Sequence, residues 1–254
     1  MLRVGEHVRS GIGLPGIPAG AVGVVKEVGR LFVAVQFDDG RMGYYARRQL
    51  TRVGQATRGM AEGASATTDL GWGDSVVPAG SHLCLLPRSR RDALHSVARY
   101  VVAGLKAKEQ CLCAVPTEWG ERLPAEAARL VGASPNDWGA DRLVVANALD
   151  VYPEGERFVA RDQIALLKRV LSGCTGRPTR IVGYPAQAFQ GMPAAEWWEY
   201  ELAVTPLLRE AGVSALCVYT PAFARSSDAR HACAAHPYVF RDGMLRLGGS
   251  SLLA

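Results

Sequence analysis

The chain has 254 residues, 48% of them hydrophobic, which is the composition of an ordinary globular protein with one large domain or two smaller ones. It contains no apolar run near the roughly 18 residues of a transmembrane helix, and its first residues contain no apolar core of signal-peptide length. We therefore expect a cytoplasmic protein without a membrane partner. In that compartment the six cysteines are expected to be reduced thiols rather than a disulfide framework.

The net charge of +5 is distributed unevenly along the chain. Residues 1–58 hold nine Lys or Arg and four Asp or Glu, whereas residues 59–254 hold twenty of each kind. The whole positive excess therefore belongs to the N-terminal segment, which indicates an anionic partner for that segment if it has a charged partner at all.

Residues 1–53 are predicted to form a small all-β domain. The run Leu31 to Phe37 has the composition of a strand, and Asp38-Asp39-Gly40 is typical of a hairpin turn because Asp-Gly tolerates positive φ. Five short strands separated by glycine corners favour an SH3-like β-barrel. The stretch Val33 to Arg41 resembles the core of KOW-type and CAP-Gly-like modules.

Tyrosines and arginines alternate in the last part of this domain, at Arg41, Tyr44, Tyr45, Arg47 and Arg48. Such a surface can stack bases and hold phosphates, so nucleic-acid binding through the barrel is one interpretation. Docking of a protein, or of the neighbouring domain, is the other.

Residues 54–79 are rich in Gly, Ala, Ser and Thr and show no sustained periodicity, so we predict a linker. Trp72, between two glycines, is expected to anchor this segment on one of the domains. From residue 80 onward, strand and helix patterns alternate, which predicts an α/β domain over residues 80–254.

The first unit of this domain is predicted to be a strand–helix–strand crossover. Strands at His82–Leu86 and Cys111–Val115 flank a segment, Asp92–Lys108, with apolar residues at helical spacing. Crossovers of this kind build parallel sheets, and open parallel sheets bind ligands beyond the carboxyl ends of their strands. Further strands are predicted near residues 142–147, 179–184 and 214–219, helices near 121–131, 161–171 and 193–212, a helix capped by Ser226, and a closing hairpin at 238–247.

The loop after the first of these strands, Pro87 to Arg91, lacks the glycines and the lysine of a phosphate-binding loop. The loop therefore occupies the position that a phosphate-binding loop has in a nucleotide hydrolase, but it lacks the residues that bind phosphate. Arg88 and its neighbours could contact an anion, or they could form an ordinary solvated loop.

Several short motifs in the α/β domain, taken together and in order, resemble the MEDS family, the methanogen/methylotroph sensory domain. They are Ser81-His82-Leu83-Cys84, Ala103-Gly104-Leu105, Cys111 to Val115, Glu201, Leu216 to Tyr219, and His236-Pro237. The resemblance covers roughly Gly80 to Gly243. It implies a RecA-like α/β fold, a mainly parallel sheet flanked by helices and without a phosphate-binding loop, that senses small hydrocarbon-type compounds. Members of the family occur alone or fused to kinase and DNA-binding modules.

The predicted ligand-binding residues combine the resemblance with strand geometry, because residues i and i+2 of a strand share a face. His82 and Cys84 share a face on one strand, Cys111 and Cys113 on the next, and Cys217 could converge with them. The candidates are His82, Cys84, Arg88, Glu201, Cys217, Tyr219 and His236. The alternatives are a thiol/imidazole metal site, a pocket for a soft or electrophilic ligand, and plain core packing of the cysteines.

Aromatic residues could line an apolar ligand pocket. Trp197, Trp198 and Tyr200 lie close together in the sequence, with Phe189 and Tyr184 upstream. Because adjacent tryptophans on a helix cannot both face the same core, one of Trp197 and Trp198 is expected at a cleft or interface.

Three functions follow from these patterns. The first is a sensory or regulatory protein that binds a small, partly apolar molecule in the α/β domain and signals to a partner such as a kinase or a transcription regulator. The second is a nucleotide-binding protein or enzyme with a non-standard site, and the third is a nucleic-acid-binding regulator. The α/β domain, residues 80–254, contains neither a Gly-x-Ser-x-Gly elbow nor a Gly-x-Gly-x-x-Gly motif, which favours a non-enzymatic role. We assign no catalytic residue, no metal ligand and no cofactor.

Overall fold

A computed structural model describes residues 2–10, 22–28, 33–37, 41–45, 50–52, 67–138, 141–152, 158–174, 176–186, 189 and 194–248. Contacts within the chain divide it into two compact units, Met1–Gly63 and Ala64–Ala254.

The N-terminal unit contains a five-stranded antiparallel sheet. Its strands are β1 (His7–Ser10), β2 (Val22–Val28), β3 (Val33–Phe37), β4 (Met42–Tyr45) and β5 (Leu50–Arg52), in the spatial order β4-β3-β2-β1-β5. Alternate residues of these strands, among them Val25, Val33 and Val35, form a small buried core, as expected for a sheet with one covered face. The predicted turn Asp38–Gly40 and the predicted cationic residues Arg47 and Arg48 lie outside the described residues.

The second unit begins with a two-stranded antiparallel ribbon, β6 (Thr67–Asp69) and β7 (Val76–Pro78), which lies within the segment predicted as a linker. Trp72, in the turn between these strands, stacks on Phe240 at 4.0 Å between ring centroids. Its indole N–H also donates a hydrogen bond to the carbonyl of Ser96, at 3.0 Å. The Trp72 side chain therefore anchors the ribbon on the α/β body.

The α/β body contains a seven-stranded sheet in the order β10-β9-β11-β12-β8-β13-β14. The strands are β8 (His82–Leu86), β9 (Gln110–Val115), β10 (Leu143–Asn147), β11 (Thr179–Gly183), β12 (Ser214–Val218), β13 (Tyr238–Arg241) and β14 (Met244–Leu247). All neighbouring pairs are parallel except the final hairpin β13–β14. The predicted α/β class with a mainly parallel sheet is therefore confirmed.

Apart from a four-residue helix at Ala148–Val151, which was not predicted, the helices of this unit lie close to their predicted positions. They are α1 (Arg90–Lys106), α2 (Arg122–Val131), α3 (Ala148–Val151), α4 (Ala160–Gly173), α5 (Ala194–Ala211) and α6 (Ala229–Ala235). Ser89 caps α1 by accepting a hydrogen bond from the backbone N–H of Asp92, and α2 ends at Gly132 in the left-handed conformation. The prediction that Ser226 caps α6 was wrong: its hydroxyl donates to the carbonyl of Phe223, and α6 begins only at Ala229.

Side-chain alternation assigns the helices to the two faces of the sheet. On one face, Cys111 of β9 donates to the carbonyl of Val101 in α1, and Arg180 of β11 donates to the carbonyl of Tyr100. Residues that are paired across neighbouring strands point to the same face of the sheet. Arg180 is paired with Ser214 of β12, and His82 is paired with Ala215, the next residue of the same strand. His82 therefore points to the face opposite Arg180. That opposite face is covered by α5 and α6 next to β8 and β12.

Arg180 is fully buried on the α1 face, where Nε and Nη1 of its guanidinium are paired, whereas Nη2 has no hydrogen-bond partner among the described residues. Its guanidinium pairs with Glu109, donates to the carbonyls of Asp69 and Tyr100, and lies 4.6 Å from the centre of the Tyr100 ring. Gly104 provides the space for this side chain, because a Cβ at that position would lie 2.6 Å from the Arg180 Cδ.

Within the described part of the chain, no helix combines the length and the apolar character that crossing a membrane requires.

Candidate functional site

Five polar side chains meet in the interior of the α/β unit, between the sheet and the helices α5 and α6. We call them the buried polar cluster: His82, Glu201, Cys217, Tyr219 and His236. His82 opens β8, Cys217 lies on the neighbouring strand β12 with Tyr219 just beyond it, Glu201 projects from α5, and His236 follows α6. His82, Glu201 and Tyr219 are completely inaccessible to solvent, His236 is 1% exposed and Cys217 6%.

The four metal-ligating atoms of this cluster face one another. Glu201 Oε2 lies 3.3 Å from His82 Nε2, 3.4 Å from His236 Nε2 and 3.9 Å from Cys217 Sγ. The His82 Nε2 to Cys217 Sγ distance is 3.2 Å. These four atoms all lie within 4.8 Å of one another, so the space between them fits a single ion or atom rather than an organic molecule.

Each imidazole and the carboxylate also has a second polar atom that faces away from the centre of the cluster. These three atoms, His82 Nδ1, His236 Nδ1 and Glu201 Oε1, are each hydrogen-bonded to a neighbouring group. Nδ1 of His82 lies 3.0 Å from the Thr205 hydroxyl, and Nδ1 of His236 donates to the carbonyl of Ala232 at 2.8 Å. The hydroxyl of Tyr219 donates to Glu201 Oε1 at 2.8 Å. These bonds fix the rotation of the two rings and of the carboxylate.

The electrostatics of the cluster are those of a dry interior. Burial lowers the pKa of His82 to about 3, and burial, reinforced by His82 and opposed by Glu201, lowers the pKa of His236 to about 3. Both imidazoles are therefore neutral near pH 7, and their short distances to Glu201 are not ion pairs. Burial also raises the pKa values of Glu201 and of the Cys217 thiol.

One nitrogen atom in the cluster has an unmet hydrogen-bonding requirement. Because Nδ1 of His236 donates its proton to a carbonyl, Nε2 of the neutral ring carries a lone pair. This Nε2 is buried and has no hydrogen-bond partner among the described residues, and Glu201 Oε2, 3.4 Å away, is also an acceptor when the carboxyl group is ionised. Buried polar atoms without partners are rare in folded proteins, so this one indicates a bound group.

The remaining predicted site residues lie beside the cluster or away from it. Cys84 is buried on the same face of β8 as His82 and is paired with Cys217, so it borders the cluster. Arg88 is 69% exposed and bonds through Nε to Asp242 at 2.7 Å, so the structure does not bring it to the cluster. The convergence considered for Cys111 and Cys113 with His82 does not occur, because Cys111 contacts α1 on the opposite face of the sheet.

An apolar cavity of about 240 Å³ lies on the same face of the sheet as the cluster, next to α4. Its lining includes Leu112 on β9, Val144 on β10 and Val170 on α4, together with Tyr152 and Tyr200. Val144 is 39% exposed and Val170 36% exposed, so these two residues lie at the outer end of the cavity.

Tyr152 and Tyr200 connect this cavity to the buried polar cluster. Their side chains interact with each other, and Tyr200 directly precedes Glu201 on α5. The hydroxyl of Tyr152 packs over Gly183, where a Cβ would lie only 2.5 Å from it, and Gly183 is paired with Cys217. Two tyrosine side chains therefore separate the apolar cavity from the polar cluster.

The two adjacent tryptophans differ in burial, but neither lines the apolar cavity, so the expectation that one of them lies at a cleft or interface stays a prediction. Trp197 is 1% exposed and stacks on Phe189 at 5.3 Å. Trp198 is half-buried and lies 5.7 Å from the ring of His231. The aromatic side chains thus form a core layer around α5 rather than a pocket of their own.

Three residues near the site were not predicted from the sequence. Thr205 follows Glu201 by four positions on α5, so helical spacing could have placed it on the same face. Tyr152 and Gly183 carry no comparable pattern, because their contact depends on how the residue that follows α3 packs over β11.

The fold and the site define a class of protein: a parallel α/β domain with an enclosed polar site and no phosphate-binding loop. A family model described as "MEthanogen/methylotroph, DcmR Sensory domain" matches residues 81–237, and the chain belongs to this MEDS family of sensory domains. The match begins one residue before His82 and ends one residue after His236, so it spans the whole cluster. A comparison with curated proteins finds no match.

Proposed function

We propose that this protein is a sensory regulator whose α/β unit binds a small, partly apolar molecule and transmits the binding event to a protein partner. The observation that carries the proposal is the apolar cavity beside the buried polar cluster. Membership of a sensory-domain family supports a sensory role, and the cavity supplies a place for a ligand.

The cavity sets the size and the polarity of the expected ligand. A volume of about 240 Å³ is below the usual range for drug-sized molecules, so it suits a compound of a few heavy atoms. Aliphatic walls such as Leu112 and Val144 favour an apolar body. The hydroxyls of Tyr152 and Tyr200 offer one polar contact at its inner end.

The route of the signal is also part of the proposal. A ligand between the sheet and α4 would shift α4, which packs on α5, and α5 carries Glu201. We propose a kinase or transcription regulator as the receiving partner, in the cytoplasm. The N-terminal sheet, which we propose to be an SH3-like barrel, is the second candidate for passing on the signal, and the α/β unit is proposed to be RecA-like.

A cavity-filling variant tests the ligand site. Small haloalkanes, alcohols and alkylamines are screened by thermal shift and then by calorimetry against the wild type and against Ala114→Leu, whose side chain enters the cavity from β9. Ala107→Leu, on the exposed end of α1, is the matched control. We expect at least tenfold weaker binding by Ala114→Leu and unchanged binding by Ala107→Leu. Equal binding by all three proteins, or no binding in the whole panel, would reject the cavity as the sensory site.

The nucleotide-binding alternative has less support. At the N-terminus of α1, where such a site would bind phosphate, the backbone N–H of Arg88 already donates to Asp92 and that of Asp92 to Ser89. ATP-dependent thermal stabilisation would favour that alternative over the sensory one. Nucleic-acid binding through the N-terminal unit stays a prediction, tested by whether salt-sensitive binding is lost when residues 1–53 are deleted.

A further inference from the structure

We infer that the buried polar cluster is a metal centre, in which His82 Nε2, His236 Nε2, Glu201 Oε2 and Cys217 Sγ bind one divalent transition-metal ion, with Zn²⁺ the first candidate. This inference goes beyond the sensory proposal, since an ion can be bound here whether or not an organic ligand occupies the neighbouring cavity.

The spacing of the four atoms matches a tetrahedral site. Zinc bonds of about 2.0 to 2.3 Å to N, O and S ligands give tetrahedron edges of about 3.3 to 3.8 Å. Four of the six distances among these atoms are 3.2, 3.3, 3.4 and 3.9 Å, and all six lie within 4.8 Å. The polypeptide therefore already holds these atoms at the separations that one small ion requires.

The surrounding hydrogen bonds are those of a metal site. Metal-bound histidines usually donate their other N–H to a carbonyl, hydroxyl or carboxylate, which fixes the tautomer with its lone pair toward the ion. His236 donates in this way to the Ala232 carbonyl, and His82 is bonded to the Thr205 hydroxyl. Tyr219 holds the second oxygen of Glu201 and so turns Oε2 toward the centre.

A cation also resolves the unfavourable features of the cluster. It gives the partnerless Nε2 of His236 a ligand bond and removes the repulsion between that nitrogen and Glu201 Oε2. Two neutral imidazoles, one carboxylate and one thiolate carry two negative charges, which a divalent ion neutralises in an interior that excludes water. When Glu201 is ionised, a hydrogen-bonded network without an ion leaves the His236 nitrogen unsatisfied.

The donor set selects the class of metal. Imidazole and thiolate ligands suit zinc and other late first-row ions, whereas Mg²⁺ and Ca²⁺ require oxygen ligands. With four ligands from the protein, the ion would be closed to water, as in structural sites, until one ligand is displaced. Cys84, which borders the cluster, is not one of the four ligands.

The test uses the full chain, purified without chelator and analysed for metals by mass spectrometry. We expect about one equivalent of a divalent first-row metal, and Zn²⁺ titration of the metal-depleted protein should restore it. Cys217→Ser and His236→Gln should lose at least about 100-fold in Zn²⁺ affinity. Cys113→Ser, another buried strand thiol that lies on the opposite face of the sheet, should keep the wild-type affinity.

Cobalt provides a second measurement that does not depend on function. Co²⁺ in the site should show the intense visible bands of tetrahedral coordination and a thiolate-to-cobalt charge-transfer band that is absent in Cys217→Ser. Thr205→Val, which keeps the shape of the side chain and removes only its bond to His82, should stay folded and bind Zn²⁺ about 10- to 100-fold more weakly.

Two results would overturn the inference: a folded wild type that binds neither Zn²⁺ nor Co²⁺, or equal affinities in the wild type, Thr205→Val and Cys217→Ser. Either result leaves the cavity experiment with Ala114→Leu unaffected. Conversely, metal binding without any small-molecule binding would uphold the metal centre and reject the sensory ligand.

Discussion

At the scale of single residues, the α/β unit depends on a few positions where a small residue makes room for a buried polar group. Gly104 is the clearest of them, because it lies on α1 against the guanidinium of Arg180. Gly183 does the same for the Tyr152 hydroxyl beside the cluster. In both cases the glycine is explained by the side chain opposite it and not by its own backbone conformation.

Gly104→Ala is expected to lower the free energy of unfolding by about 1 to 3 kcal/mol, because the added methyl group displaces the buried Arg180 from its bonds to Glu109 and to two carbonyls, and this loss outweighs the gain in helix propensity. Urea unfolding followed by circular dichroism measures the change. Gly173→Ala, at the end of α4 with open space around it, is the matched control and should be neutral or stabilising by up to about 1 kcal/mol. Equal effects of the two substitutions would contradict the packing argument.

How far the sequence predicts the site also becomes clear at this scale. His82 and Cys217 were predictable as cluster members because they lie in motifs that resemble the MEDS family, and alternation along one strand adds that His82 and Cys84 share a face. Cys111 and Cys113 follow the same rule on a third strand, yet they face α1, since the pattern of one strand does not say which face it shares with another. Arg88 was proposed for its charge, and its exposed partner Asp242 lies 154 residues away in the sequence.

At the scale of elements, length decides what could be predicted. The crossover from β8 through α1 to β9 was predictable because seventeen helical residues with regular apolar spacing leave little ambiguity. The ribbon β6–β7 was not, because its strands have three residues each, too few to show a period. Only Trp72 indicated that the segment is attached to a domain.

Trp72→Ala should therefore detach the ribbon. We expect a loss of about 3 to 5 kcal/mol in the free energy of unfolding, from the removed stacking on Phe240 and the lost bond to Ser96. Trp72→Phe keeps an aromatic ring against Phe240 but cannot donate to Ser96. Beyond the effect of the smaller ring, we expect this lost hydrogen bond to lower the free energy of unfolding by only about 1 kcal/mol. Hydrogen exchange locates the effect: the amides of residues 67–78 should lose protection in Trp72→Ala, and unchanged protection there would refute the anchoring role.

A pH-dependent contact joins α1 to α2. Hydrogen bonds from Arg129 and His95 lower the pKa of Glu126 to about 2, from 4.5 in the unfolded chain. A lowered pKa means that the contribution of Glu126 is fully present above pH 4.5 and is lost as the pH falls toward 2.

Glu126→Gln should accordingly cost no more than about 1 kcal/mol at pH 7, since its partners are largely exposed, and the difference from the wild type should shrink below pH 4.5. Denaturant titrations between pH 7 and pH 3 measure this difference. Glu199→Gln, an exposed position on α5, is the charge control. A difference between wild type and Glu126→Gln that stays constant down to pH 3 would show that the contact does not titrate as described.

At the scale of the whole molecule, the buried polar cluster joins parts of the chain that are far apart in sequence. Its members come from β8, α5, β12 and the end of α6, between positions 82 and 236. An ion bound by His82, Glu201, Cys217 and His236 would link both ends of the α/β unit and no residue of the N-terminal unit, Met1–Gly63. Metal binding should therefore stabilise one unit of the protein selectively.

Removal of the metal by a strong chelator is expected to lower the melting temperature of the α/β unit by roughly 5 to 10 °C, because a ligand present at 100 times its Kd contributes about 2.7 kcal/mol. Excess Zn²⁺ should restore the original melting temperature, and Cys217→Ser should respond to neither treatment. Hydrogen exchange in β2 and β3 of the N-terminal unit is the internal control, and it should be the same with and without chelator. Equal destabilisation of both units would point to an effect of the chelator itself. A wild type that melts at the same temperature in chelator and in Zn²⁺ would mean that the two histidines, the glutamate and the cysteine are held together by hydrogen bonds alone.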